Sequence, residues 1–99
     1  MPTFFERLAA AVERTGSHLC IGLDPHPGRV PTAELAAFNR RIIEATADLA
    51  ACYKPNIAFY EARGAAGMQA LRETIAALPP ETPFILDAKR GDAFRKLLW

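Results

Sequence analysis

The stretch FILDAKRGDAF, Phe84 to Phe94, runs an apolar triplet directly into Asp87, Lys89 and Asp92. Its opening predicts a strand over about 83–89. Residues two apart on a strand share a face, so Ile85, Asp87 and Lys89 project together, while Phe84, Leu86 and Ala88 turn toward covering helices. Gly91 makes a turn and leaves Asp92 near the carboxyl end, where open α/β sheets and barrels hold their ligands.

Working back from that strand, the chain alternates helical and extended patterns. Thr3 and Glu6 fit a capping box, Phe5, Leu8 and Val12 recur at helical spacing, and Gly16 supplies a stop, which predicts a helix over 3–15. HLCIGLD predicts a strand over about 18–24, with Leu19, Ile21 and Leu23 on one face and His18, Cys20, Gly22 and Asp24 on the other; PHPGRVP breaks it. Leu35, Phe38, Ile42, Ala45 and Leu49 predict a helix from Thr32 to about Ala51. CYKPNIAFY then predicts a strand over about 52–59, placing Lys54, Asn56 and Ala58 together despite the internal Pro55. Met68, Leu71, Ile75 and Leu78 predict a helix from about Ala65, ended by PPETP, with Gly64 and Gly67 at its entry. Connections of this length between apolar strands imply right-handed crossovers and a parallel sheet, so the fold class is α/β in one domain, 1–99.

Composition narrows the partner. The chain has 99 residues, 51% of them hydrophobic, and 12 basic against 11 acidic side chains leave a net charge of +1. No electrostatic footprint for nucleic acid or an anionic membrane is present, which points to a small molecule. No apolar run approaches the roughly 18 residues of a membrane span, and Glu6 and Glu13 interrupt the N-terminal segment where a secretory signal would be apolar, so a cytoplasmic location is expected. Cys20 and Cys52 lack a CxxC pairing or a nearby His at ligand spacing; they are expected to be buried, reduced and without function.

The charges gather on one rim. Lys54 in the neighbouring strand and Asp24 at the end of the first reach the same edge as Asp87, Lys89 and Asp92. Two carboxylates about 4 Å apart repel by roughly 4 kcal/mol at an effective dielectric of 20, which interleaved ammonium groups offset. Such an array presses a fixed negative charge against a substrate anion and holds an ammonium ready as proton donor, a combination suited to decarboxylation. The plainer reading is a solvated loop with ion pairs worth under about 1 kcal/mol, in which Asp24 caps the turn before Pro25 and Asn56 is a hydrogen-bonding partner.

Together, CIGLDPHP, FNRRIIEATADLAACYKPNIAFYEARGAAGMQAL and ILDAKRGD resemble orotidine 5'-phosphate decarboxylase in its longer bacterial form, over residues 4 to about 92. The resemblance implies the N-terminal portion of a (β/α)8 TIM barrel: three parallel strands with helices, an incomplete barrel. It implies pyrimidine biosynthesis, the loss of CO2 from orotidine 5'-monophosphate to give uridine 5'-monophosphate, without metal or organic cofactor. The family's charged tetrad falls on Lys54, Asp87, Lys89 and Asp92, with Lys89 as proton donor and Asp24 resembling the acid that binds the ribose. A homodimer is implied as well, with Asp92 delivered into the partner's site.

A complete barrel needs about 250 residues, and the AFRKLLW tail departs from the family pattern and reads as foreign, like a truncation or a shifted frame. The phosphate-gripping loops of the family follow later strands, so the chain alone is expected to bind nucleotide weakly, to be inactive and to associate through open edges. Two other readings stay open. A Mg-dependent sugar-phosphate lyase of the same superfamily shares D-x-K-x-x-D but generally has an acid where Lys54 stands. A receiver-like α/β module or a non-catalytic remnant would carry the same rim without chemistry.

Overall fold

The computed structural model describes residues 2–88. Helix α1 spans Phe4–Thr15, and the expected capping pair starts it. The Thr3 hydroxyl accepts from the Glu6 N–H at 3.1 Å and donates to the Glu6 carboxylate at 3.2 Å. Gly16 ends it at φ 66°, a left-handed conformation in which glycine carries no Cβ penalty. Leu8 and Val12 are half-buried as expected, whereas Phe5 is 78% exposed and Ala11 takes the buried position. The Arg7 and Arg14 guanidiniums bond the Pro80 carbonyl and the Thr82 hydroxyl, tying α1 to the loop before the charged segment.

Strand β1, Leu19–Leu23, and strand β2, Ala50–Pro55, pair in parallel. Cys20 faces Cys52, Ile21 faces Tyr53, Gly22 faces Lys54 and Leu23 faces Pro55; an irregularity at Leu19/Cys20 leaves Ala51 as an extra residue in β2. The α/β class with parallel strands is what the molecule has.

Two boundaries differ from expectation. Helix α2 follows a 3-10 turn at Thr32–Glu34 and spans Leu35–Thr46, stopping short of Ala51. The Thr46 hydroxyl bonds the Ile42 carbonyl at 2.7 Å and the Tyr53 hydroxyl at 2.8 Å, and the chain reverses over 47–49 so that Ala50 and Ala51 enter β2 fully buried. At the other end, the strand expected to reach Phe59 stops at Pro55. Asn56 caps a short helix α3, Ile57–Glu61, its side-chain oxygen accepting from the Ala58 N–H at 3.1 Å. A helix cap here overrides the strand preference of IAFY.

The third extended segment lies alongside β2 in parallel, through bridges at Tyr53–Phe84 and Asn56–Asp87 with the same residue offset, yet it is not a strand of the sheet. Tyr53 N–H donates to Pro83, Ile85 N–H to Tyr53, Asp87 N–H to Pro55 and Ile57 N–H to Asp87, at 2.8 to 3.2 Å. In an unbroken parallel ladder of this register, residue 55 would donate to the Ile85 carbonyl. Pro55 has no N–H, so the ladder loses its middle rung.

Helix α4 spans Gly64–Ala77. Its buried stripe is Gly67, Ala70, Leu71 and Thr74, rotated from the expected one, with Met68 and Ile75 only partly buried. Gly64, at φ 71°, opens the helix as expected, but Gly67 does something else. A Cβ there would lie 2.1 Å from the Tyr60 carbonyl oxygen, so its bareness lets α3 and α4 touch backbone to backbone.

The core has two parts. Leu23, Ile43, Ala50, Tyr53 and Leu78 join the sheet to the helices, while Val30, Leu35, Tyr60, Ala70 and Leu71 join the helices to the loop after β1. Contrary to expectation, Cys20 is exposed; β1 is an edge strand, and only Cys52, in the central one, is buried. Among the described residues no helix is long and apolar enough to cross a membrane.

Candidate functional site

The sheet has a helix face and an inner face. Tyr53 lies among α2 residues, its hydroxyl bonded to Thr46 and to the Ile43 carbonyl, and Ile21 and Leu23 pack with it. By alternation, Cys52, Lys54 and Asn56 point to the opposite side. Cys20, Cys52 and Ile85 line one cavity, which assigns residues 85 and 87 to that same inner face.

Register arranges the inner face in rows. Gly22, Lys54 and Ile85 form one, and Asp24, Asn56 and Asp87 the next, at the carboxyl ends of all three segments. The Asp24 carboxylate closes the upper row by accepting the Asn56 N–H at 2.9 Å. Gly22 contributes no side chain, which leaves the space beside Lys54 open; a Cβ there would come within 3.4 Å of the second Asp24 oxygen. Asp24, Lys54 and Asp87, three of the five expected site residues, are thus brought to one rim. Lys89 and Asp92, the other two, lie outside the described residues, as does the tail 93–99.

Below the rim sits a polar network that sequence patterning missed. Asn39 is fully buried on α2; its amide donates to the Tyr60 hydroxyl at 3.0 Å and to the Thr74 hydroxyl at 2.9 Å. Tyr60 in turn donates to the Leu23 carbonyl at 2.7 Å, one residue before Asp24. Three helices therefore hold the backbone that presents the acid. Burial pushes the Tyr60 hydroxyl up to about 12, the Asn39 bond opposes that rise, and the nearby Asp24 charge adds to it. The available signal was Asn39 itself, a polar residue four positions from both Leu35 and Ile43 on the buried stripe.

Arg63, at the α3–α4 junction, clamps the loop that follows Asp24. Its guanidinium donates to the carbonyls of Pro25 and Val30 and to the Thr32 hydroxyl. His26 is exposed and accepts the Gly28 N–H at 3.1 Å through Nδ1. A cavity of about 290 Å³ opens between this loop and α2, lined in part by Asp24, His26, Arg29 and Asn39. Among the described residues, no three His, Cys, Asp or Glu side chains gather where a metal ion would be held.

No family model matches the chain. It is, however, 52% identical over 95 residues to an orotidine 5'-phosphate decarboxylase of Herpetosiphon aurantiacus, covering 90% of this chain and 36% of that protein. It is 55% identical over 97 residues to an orotidine 5'-phosphate decarboxylase of Halorubrum lacusprofundi, covering 91% and 34%. In structure it is similar to a putative orotidine-monophosphate-decarboxylase from Toxoplasma gondii, at TM-score 0.84 and 43% identity, over 89% of this chain and 32% of that one. The expected resemblance therefore holds in both sequence and fold, and the chain spans about a third of the length of the curated relatives it matches.

Proposed function

We propose that this chain forms one wall of an orotidine 5'-phosphate decarboxylase site, in the pathway to uridine 5'-monophosphate. The observation that carries the reading is the convergence of Asp24, Lys54 and Asp87 from three parallel segments on one inner rim, in a chain about half identical to proteins of that name. In this reading Asp87 crowds the carboxylate of orotidine 5'-monophosphate. The bond from C6 to the carboxyl carbon breaks with its electron pair left on C6, CO2 departs, and the Lys89 ammonium stabilises the carbanion and then protonates it. Lys54 holds Asp87 and the ribose, and Asp24 accepts a hydrogen bond from a ribose hydroxyl. Asp92 acts across a homodimer interface. The mechanism uses no metal or organic cofactor, and it belongs in the cytoplasm, where pyrimidine nucleotides are made.

The firm hold on the Asp24–Lys54 half of the rim supports this assignment. Preorganised charges accelerate a reaction because they need no reorganisation as charge develops at the reacting carbon. Asp24 is fixed through Asn56 and through the Asn39–Tyr60 network behind Leu23, and Lys54 stands on the central strand.

The test is a chimera in which residues 4–92 of this chain replace the matching segment of the Herpetosiphon aurantiacus relative. The chimera is expected to release CO2 from orotidine 5'-monophosphate, and Lys54→Ala is expected to lower kcat/KM by about 10³-fold or more. Activity of the Lys54→Ala chimera within about tenfold of its parent would remove Lys54 from the mechanism. The chain alone is expected to give no turnover, because it spans about a third of those relatives and remote groups of a substrate supply much of the binding energy.

A further inference from the structure

We infer that Cys20 and Cys52 form a paired thiol site on the inner face, which exchanges with small-molecule disulfides to close a bond between β1 and β2. The two residues face each other in the parallel register. Neighbouring strands stand about 4.7 to 4.9 Å apart, within the Cα separation of about 4.4 to 6.8 Å that a disulfide spans. Both residues line one cavity of about 190 Å³, together with Leu8 and Val12 of α1, His18 and Ile85, so they border the same space. The irregularity at Leu19/Cys20 falls beside the pair, where the extra residue in β2 increases local twist and re-aims side chains.

The pair is asymmetric in a way that orders the chemistry. Cys20 is exposed and Cys52 is 3% exposed, with its thiol directed at the Tyr53 carbonyl at 3.6 Å. Burial first, then the adjacent Cys20 sulfur, pushes the Cys52 thiol up to about 11, so at neutral pH Cys52 keeps its proton. Cys20 is therefore the entry sulfur. Its thiolate attacks one sulfur of a disulfide such as oxidised glutathione; the S–S bond breaks, one glutathione thiolate leaves, and Cys20 carries the other half. Cys52 then loses its proton to solvent and attacks the Cys20 sulfur, expelling the second thiolate. Two protein thiols are oxidised, one small disulfide is reduced to two thiols, and the atoms balance. The bond formed lies one row below Lys54 and ties together the strands that carry Asp24 and Lys54.

The test uses the purified full chain, oxidised glutathione at neutral pH and intact-mass measurement. The expected product has lost two hydrogens, and tryptic mapping links the peptide of Cys20 to that of Cys52. Cys52→Ser is expected to stop at a persistent glutathione adduct on Cys20, and Cys20→Ser to slow oxidation of Cys52 by about tenfold or more. The wild-type map alone decides the matter if a variant fails to fold. A wild-type chain that accumulates the Cys20 adduct, forms a disulfide between two chains, or does not react would overturn the proposal.

Discussion

The two flanks of β2 show how differently the same strand can be held. On its β1 side, consecutive pairs run from Cys20–Cys52 to Leu23–Pro55, Leu23 is 1% exposed, and a buried Asn39–Tyr60–Thr74 network fixes the backbone beneath Asp24. On the other side Pro55 removes the middle rung, and Phe84, Ile85 and Leu86 are 37, 41 and 43% exposed. One half of the rim is thus built into the core while the half carrying Asp87 rests on two bridges. Stability is local, and the least-packed elements open first.

That contrast can be broken from its firm side. Gly67→Ala should have the largest effect, about 3 kcal/mol in urea unfolding, because the new methyl group meets a backbone carbonyl that cannot step aside. Asn39→Ala should cost about 2 kcal/mol, since two buried hydroxyls lose a donor; the orphaned Asn39 oxygen is removed at the same time and offsets part of the loss. A cost below about 0.5 kcal/mol would mean the network does not support the rim.

The alkaline limb probes the same region. Tyr60 is held above its ordinary value, so the folded state favours the neutral phenol. Stability from this source is complete below about pH 10 and is lost as pH rises toward about 12. Tyr60→Phe should flatten that part of the curve.

The loose side should respond weakly. Phe84→Ala should cost about 1 kcal/mol, well under the 3 to 5 kcal/mol of a fully buried phenylalanine. Pro55→Ala should change total stability least, because the regained rung is offset by a more flexible unfolded chain. It should nonetheless slow hydrogen exchange at Ile85 and Asp87 by about fivefold, the worth of one ordinary hydrogen bond. Unchanged exchange would show that the missing rung is not what loosens this flank.

Local chemistry made much of this legible in the sequence. Thr3, Glu6 and Gly16 announce the ends of α1, alternation in CIGLD locates β1, and the same alternation assigns Asp87 a face opposite Phe84. The failures come from interactions between distant residues. NIAFY has strand-forming composition, yet Asn56 caps a helix there, with its own N–H held by Asp24, the residue after β1. The end of α2 carries no glycine or proline, so periodicity ran on past Thr46 until the need to bury Ala50 and Ala51 stopped it. The role of Asn39 is not legible locally, because its partners lie 21 and 35 residues away.

The shared rim itself is open to direct measurement by cross-linking in a Cys20→Ser, Cys52→Ser background. Asp24→Cys and Asp87→Cys would stand two strand spacings apart, about 10 Å, and a bifunctional thiol reagent of that span should join them within one chain. Asp24→Cys paired with Glu44→Cys, at an exposed position on the helix layer in α2, should not be joined. Failure of the first pair to cross-link, or equal capture of the second, would contradict the convergence of three parallel segments on one face.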